Sequence, residues 1–428
     1  MTPNNIYQGN CLDVLKDFPD NSIDAIVTDP PYELGFMGKS WDSTGIANNK
    51  EMWAEALRVL KPGGHLLAFS GTRTYHRIAS AIEDAGFEVR DMIEWVYGSG
   101  FPKSLNIGKA VDKLQGNERE IVGTQMLGGN AAQSTKEKGG TYASNTNAVG
   151  VKPIEVKLTK GTSAWEGWGT ALKPAHEPIC MARKPLSEST VAENCLKWGT
   201  GGINIDESRV ENTGKSTLRP LGKSAYQKGG GIVNGGVAGT HEVESEFGGG
   251  HDGGRFPANL IHDNSDEVKE CFPETKTGKA IRSNSGGKTF GGENTKPVME
   301  DLGYDDNDGN ASRFFKSIIY QAKASKSERN KGCEELEEKD ARKFDGGDFI
   351  NPNGKSKKDT VAKNNHPTVK PIALMEYLIK MVTPKGGIVL DPFTGSGSTL
   401  VAAKQNGFQY VGIEMTPEYI EIALARLK

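Results

Sequence analysis

Ile23-Asp24-Ala25-Ile26-Val27-Thr28-Asp29-Pro30-Pro31-Tyr32 and Gly387-Ile388-Val389-Leu390-Asp391-Pro392-Phe393-Thr394-Gly395-Ser396-Gly397-Ser398-Thr399 are the two stretches whose reading decides the fold. Each is a short apolar, β-branched run that stops at Asp-Pro, the pattern of a buried parallel strand emptying into a loop. Outward from the first lie a helical segment around Glu51 to Leu60, a Lys61-Pro62-Gly63-Gly64 turn and a strand over His65 to Ser70. A helix over Arg73 to Ala85 and a strand over Phe87 to Tyr97 complete that block. Around the second, the pattern predicts a helix over Ile372 to Val382, the strand Ile388 to Leu390 and a helix over Ser398 to Gln405. The strand Gln409 to Glu414 and a last helix over Pro417 to Leu427 follow. Alternating strands and helices build a helix-flanked parallel sheet, so an α/β, Rossmann-like fold is expected, with both ends of the chain in one sheet.

Between Phe101 and Asn365 the alternation fails. Lys228 to Gly254 and Gly278 to Asn294 are Gly-rich and polar, with too little apolar surface to offset the entropy of ordering the backbone. Firmer islands stand at His176 to Lys184, Gly254 to His262 and Ser312 to Lys323. The expected organisation is a catalytic domain of residues 1–100 and 366–428 and an irregular insertion of residues 101–365.

The 428 residues carry 52 basic and 55 acidic side chains, so net charge does not announce a nucleic-acid binder. Any such contact must come from local patches. Five scattered cysteines, Cys11, Cys180, Cys195, Cys271 and Cys333, form no C-x-x-C pair, so neither a disulfide framework nor a metal site is expected. The N-terminus MTPNNIYQGN lacks a signal pattern, and no stretch approaches the roughly 18 apolar residues of a membrane span. The expectation is a soluble, cytoplasmic protein.

Two constellations carry chemistry. An exocyclic amine is a poor nucleophile because its lone pair is delocalised into the ring. A carboxylate and a carbonyl that accept both amine hydrogens localise that pair, and an aromatic ring holds an extruded base. Asp29, the Pro30 carbonyl and Tyr32 supply these parts within four residues, and Pro30 and Pro31 stiffen the loop without competing N–H donors. The same D-P-P is also ordinary turn punctuation. In the second constellation, Gly395 and Gly397 let a ligand approach a helix N-terminus, and Glu414 ends the next strand, placed for ribose hydroxyls. Such a loop suits an adenosine-containing cofactor, although dehydrogenases and plain helix caps share glycine turns. No G-K-[ST] follows, so it is not a phosphate cradle.

Over GNCLDVLKDFPDNSIDAIVTDPPY and HPTVKPIALMEYLIKMVTPKGGIVLDPFTGSGSTLVAA the chain resembles the permuted, beta-group DNA amino-methyltransferases, and central segments such as GWGTALKPAHEPICMARKPL resemble phage and prophage members with enlarged insertions. The resemblance implies S-adenosylmethionine as cofactor and a base flipped from double-stranded DNA as substrate. It implies roles for Asp29, Pro30, Pro31 and Tyr32 at the target amine, with Asp29 also facing the cofactor. It implies cofactor contacts by Asp391, Pro392, Phe393, Gly395, Ser396, Gly397, Ser398, Thr399, Glu414 and Met415. Asn10 and Cys11 join that set, although the family commonly has Asp where this chain has Asn10. Thr368 and Lys370 fall near the methionine end, where the lysine could meet the carboxylate. Asp29, where N4-cytosine members more often have Ser, favours adenine N6. Related enzymes are often dimers, so a homodimer is implied.

DNA contacts are expected from Lys39 and Trp41 of FMGKSWD and from Lys103, Lys173, Arg183 and Arg255 in the insertion, against the simpler reading of solvated or packing side chains. Lys331 to Lys343 reads as an exposed helix with i,i+4 pairs, and His176 and His366 read as structural. An N4-cytosine or RNA amino-methyltransferase, and a DNA-binding module that no longer catalyses, remain open alternatives.

Overall fold

The computed structural model describes residues 1–35, 40–98, 100, 104–127, 154–211, 254–275, 281–283, 299–301, 309–318, 326–340 and 361–428. The chain forms two compact units, residues 1–97 with 176–428, and residues 98–175.

The larger unit is built on nine strands: β1 (Asn5–Gln8), β2 (Ile23–Thr28), β3 (Leu60–Phe69), β4 (Glu88–Val96), β5 (His176–Arg183), β6 (Leu260–His262), β7 (Lys316–Ser317), β8 (Ile388–Asp391) and β9 (Gln409–Glu414). Their spatial order is β1-β9-β8-β2-β3-β5-β4-β6-β7. All neighbours run parallel except β5, which is antiparallel to both β3 and β4.

All six residues of β2 are buried, as a strand covered on both faces requires. Ala25 and Val27 join one core with Leu374 and Leu378 of α4 (Ile372–Val382) and Leu400 of α5 (Ser398–Gln405). Ile26 joins the other, with Leu15 of α1 (Cys11–Lys16), Trp53 of α2 (Lys50–Val59) and Ile78 of α3 (Tyr75–Asp84). The C-terminal helix α6 (Pro417–Leu427) packs Tyr419 and Ile422 against Cys333.

The helices and strands expected at both ends form within a residue or two of the expected limits. Lys61 to Gly64, read as a turn, instead continues β3, and Gly63 at φ +78° allows this because a Cβ there would lie 2.4 Å from Asn194 Nδ2. The islands at residues 176, 254 and 312 also differ from expectation. Rather than forming a separate insertion domain, they supply β5, β6 and β7 of the central sheet. The Lys331 run is not helical over its described part. A helix at Lys326–Asn330 ends first, and Gly332 at φ +84° packs against the Ala425 backbone. The Gly-rich stretches 228–253 and 284–294 lie outside the described residues.

Residues 98–175 hold a helix, Ile107–Gln115, and an antiparallel pair, Glu120–Leu127 with Ile154–Lys160. Arg119 joins these parts by ion pairs to Asp112 and Glu166. No helix among the described residues is long and apolar enough to cross a membrane.

One buried carboxylate fastens the start of the central strand pair. Asp24 Oδ1 accepts from Lys61 Nζ at 2.6 Å, and Oδ2 accepts from the Ile388 backbone N–H at 2.8 Å. Asp24→Ala is expected to destabilise the chain by about 2 kcal/mol, since it strands a buried N–H and a lysine. Urea unfolding checks this, and Asp24→Asn, which keeps an acceptor, should lose less.

Candidate functional site

β2 and β8 are neighbours, with Val389 opposite Ala25 and Leu390 opposite Ile26. From this pair the chain winds away in opposite directions, β8 to β9 on one side and β2 to β3 on the other. Such a reversal opens a crevice at the carboxyl ends of the strands. Thr28 Oγ1 donates to Asp391 Oδ1 at 2.7 Å across the pair, and both residues are buried. Beyond them lies a cavity of about 430 Å³ lined by both loops, a size ordinary for small-ligand sites.

Asp29, Pro30, Pro31 and Tyr32 form one wall. Asp29 Oδ2 accepts from Lys370 Nζ at 2.8 Å, whereas Asp29 Oδ1 is buried with no hydrogen-bond partner among the described residues. Lys370 also donates to the Tyr32 hydroxyl at 3.1 Å, and its third contact is Glu177 Oε2 at 3.1 Å. The Tyr32 hydroxyl donates in turn to Glu177 Oε2 at 3.0 Å. Burial disfavours the charge on Lys370, but the carboxylates of Asp29 and Glu177 outweigh it and hold the ammonium protonated. Burial, then the charges of Asp29 and Glu177, push the Tyr32 phenol well above its usual range. Lys370 was expected to meet a ligand carboxylate. In the structure it donates to Asp29 and Tyr32 and forms an ion pair with Glu177, all within the wall.

The other wall is the Asp391 to Thr399 loop and the end of β9. Glu414 Oε2 accepts from the Gly395 N–H and Oε1 from the Thr416 N–H, both at 2.8 Å, which fixes the carboxylate at the cavity wall. Gly395 sits at φ +50°, and a Cβ there would lie 2.7 Å from His366 Nε2. Gly397 at φ +79° has Ala423 Cβ at 2.9 Å from the same position. Ser396 and Ser398 turn their hydroxyls to Arg426 of α6, and Pro392, Phe393, Thr399 and Met415 line the cavity.

The remaining assignments divide. Asn10 lines the cavity, but its side chain caps α1 by accepting from the Leu12 N–H. Beside it, burial pushes the Cys11 thiol up to about 12, so it lines the site as a neutral group. Thr368 accepts from His366 Nδ1 at 2.6 Å, and burial lowers His366 to about 3, a neutral ring stacked on Trp41. Trp41 lines the cavity with its buried Nε1 lacking a partner among the described residues.

Arg183 stands apart. It pairs with Glu88 at 2.6 Å, six residues along β5 from Glu177, hence roughly 20 Å away at the opposite end of the sheet. Arg255 donates to the Arg313 carbonyl and stacks on Phe314, and Lys173 is exposed. Lys39 and Lys103 lie outside the described residues. Glu177 was missed by sequence reasoning. Its only signal is a carboxylate beside the apolar run Ile179 to Ala182.

A model of the DNA methylase family for N6 and N4 methylation matches residues 23–425. The chain is 46% identical over 242 residues to the type II methyltransferase M.HindIII of Haemophilus influenzae, covering 46% of this chain and 64% of that protein. It is 41% identical over 73 residues to M.ScaI of Streptomyces caespitosus, covering 17% of this chain and 24% of that one. To M2.DpnII of Streptococcus pneumoniae it is 48% identical over 63 residues, covering 15% and 24%. The matches thus span about a quarter of the length of these last two relatives. Among solved structures, the M1.HpyAVI complex with S-adenosylmethionine has 16% identity and a TM-score of 0.36, covering 99% of this chain and 98% of its own. The cytosine-N4-specific PvuII DNA methyltransferase has 12% identity and a TM-score of 0.42, covering 100% and 87%.

Burial raises Asp391 to about 6, against the hydrogen bonds from Thr399, Thr28 and the Phe393 N–H. An unfolded aspartate titrates near 3.9. Between about pH 4 and pH 6 the folded chain therefore holds a proton that the unfolded chain has released, so this residue's contribution makes stability fall as pH rises. Relative to wild type, Asp391→Asn should remove that fall, a difference on the order of 2 kcal/mol, in urea unfolding from pH 4 to pH 7.

Proposed function

Since this chain belongs to that N6/N4 DNA methylase family, we propose that it transfers a methyl group from S-adenosylmethionine to the exocyclic amine of a base flipped out of duplex DNA, with adenine N6 as acceptor. The observation that carries the reading is Asp29 Oδ1, a buried acceptor without a partner among the described residues, on the wall facing the Asp391 to Thr399 loop. A carboxylate oxygen left unsatisfied in a buried site costs free energy unless a ligand completes it. An amine hydrogen does so.

The residues fit the cofactor. Glu414, anchored through the Gly395 and Thr416 N–H groups, offers its remaining lone pairs to two ribose hydroxyls. Gly395 and Gly397 keep the loop free of side chains where His366 and Ala423 already fill the space. When bound, S-adenosylmethionine supplies a methyl group already activated on a sulfonium. On the acceptor side, Asp29 Oδ1 and the Pro30 carbonyl accept hydrogen bonds from the two amine hydrogens, the Tyr32 ring supports the base by stacking, and the surplus proton leaves to water after transfer. Asp29 and Glu177 against one Lys370 leave this wall one negative charge, which favours the positive charge that develops on the amine during transfer. No histidine is required, and neutral His366, donating to Thr368, holds the loop instead.

Adenine rests on Asp29 at the head of the motif. Target reading falls to segments between the two terminal blocks that lie outside the central sheet, including the exposed Trp165, Trp168 and Lys173. The site of action is the cytoplasm of a prokaryotic or phage-infected cell.

Asp29→Ala should lower methyl transfer to duplex DNA by at least about a thousandfold while leaving the cofactor dissociation constant, read by calorimetry, within about twofold. Glu414→Ala should instead weaken cofactor binding by about tenfold or more. Radiolabelled methyl incorporation into duplex DNA against total RNA tests the substrate, and long-read sequencing of DNA from expressing cells identifies the base. Label in RNA alone would sink the reading, and N4-methylcytosine would transfer it to the other amine.

A further inference from the structure

Glu177 lies outside both terminal motifs, yet it completes the wall that carries Asp29. It is the second residue of β5 and stands opposite Trp95 of β4. Because β5 alone runs antiparallel, its beginning falls where the parallel strands end, at the cavity rim. We propose that Glu177 is a positioning residue for the methyl acceptor: it draws the Lys370 ammonium and the Tyr32 proton to itself and so keeps Asp29 Oδ1 open for the amine. This rests on the reading of Asp29 as the amine's acceptor.

The argument is a count of donors and acceptors. An ammonium has three N–H donors and a phenol one O–H. Lys370 donates to Asp29 Oδ2 and the Tyr32 oxygen and forms an ion pair with Glu177 Oε2, and Tyr32 sends its proton to the same Glu177 oxygen. None of these contacts reaches Asp29 Oδ1, which has no partner among the described residues. Remove the Glu177 charge, and the lysine ammonium and the tyrosine O–H are held less firmly on that side of a part-buried cluster. The unpartnered acceptor within that cluster is Asp29 Oδ1. Once either donor turns to it, the amine finds its site already satisfied, although the cofactor wall is untouched.

Glu177→Gln keeps the shape of the side chain and replaces one acceptor oxygen with a donor. On duplex DNA its single-turnover methyl-transfer rate should fall by roughly a hundredfold, with the S-adenosylmethionine dissociation constant unchanged within about twofold. Glu177→Asp, which retains the charge, should recover part of the rate. Independently of turnover, the full chain labelled with ¹⁵N at lysine Nζ should show a Lys370 ammonium signal, identified by its loss in Lys370→Arg, that shifts or broadens in Glu177→Gln. If Glu177→Gln keeps the wild-type rate, or leaves the ammonium signal in place, the proposed role is wrong while Asp29 retains its own. Equal loss of cofactor binding in Glu177→Gln and Glu177→Asp also overturns it, in favour of a purely structural residue. A wild-type chain that methylates no DNA, with the ammonium signal still responding to Glu177→Gln, overturns the acceptor role through the failure of the proposed function rather than of the cluster.

Discussion

The site depends on β2 and β8 lying side by side, a pairing that Thr28 and Asp391 register with one buried hydrogen bond across 363 residues of chain. That bond is worth only about 1 kcal/mol on its own. The pairing is selected by what surrounds it, because β2 sends alternate side chains into two different cores and a one-residue slip would exchange them. The register that satisfies both cores also brings the two Asp-Pro loops to the same edge of the sheet. Asp391 then serves both, accepting from Thr28 and from the Phe393 N–H at the turn of its own loop.

The charges beyond this pair are arranged for position more than for stability. Taking an ammonium and two carboxylates largely out of water costs about as much as their attraction returns, so such a cluster adds little to folding. Its value lies in direction: Lys370 is held between two anions and donates to Asp29 and to the Tyr32 hydroxyl. The contrast with Arg183 is instructive. It lies on the same strand as Glu177 and is also paired with a carboxylate, but its partner Glu88 sits at the start of β4, far from the cavity, where the pair ties two strands together.

Much of the fold was legible in the sequence because it depends on local signals. Apolar runs, helix periodicity and Asp-Pro stops placed β2, β8, β9 and α4 to α6 with their limits almost unchanged. Both loops were legible as well, since Asp29 to Tyr32 and Asp391 to Thr399 are contiguous. Parts that depend on distant pairing were not legible. His176 to Arg183 is a strand-like run in any reading, but only its hydrogen bonds to β3 and β4 make it a member of the central sheet and not of an insertion. Likewise, Lys370 meets Asp29 across 341 residues, so its engagement with that loop could not be seen in HPTVKP. The sequence shows which side chains exist, and the fold decides which of their donors are already spoken for.

The distance between β2 and β8 along the chain also shapes how the protein is made. During synthesis Thr28 precedes Asp391 by 363 residues, an interval of about half a minute at ribosomal speeds of roughly 5–20 residues per second. Through that interval β2 can pair with β3, but its other side, an apolar edge with open backbone groups, has no native neighbour. An unpaired edge of this kind recruits whatever strand is at hand. Recovery of folded protein from an expressing cell will therefore follow growth temperature and chaperone supply, which govern the fate of the nascent chain, more closely than the stability of the finished molecule.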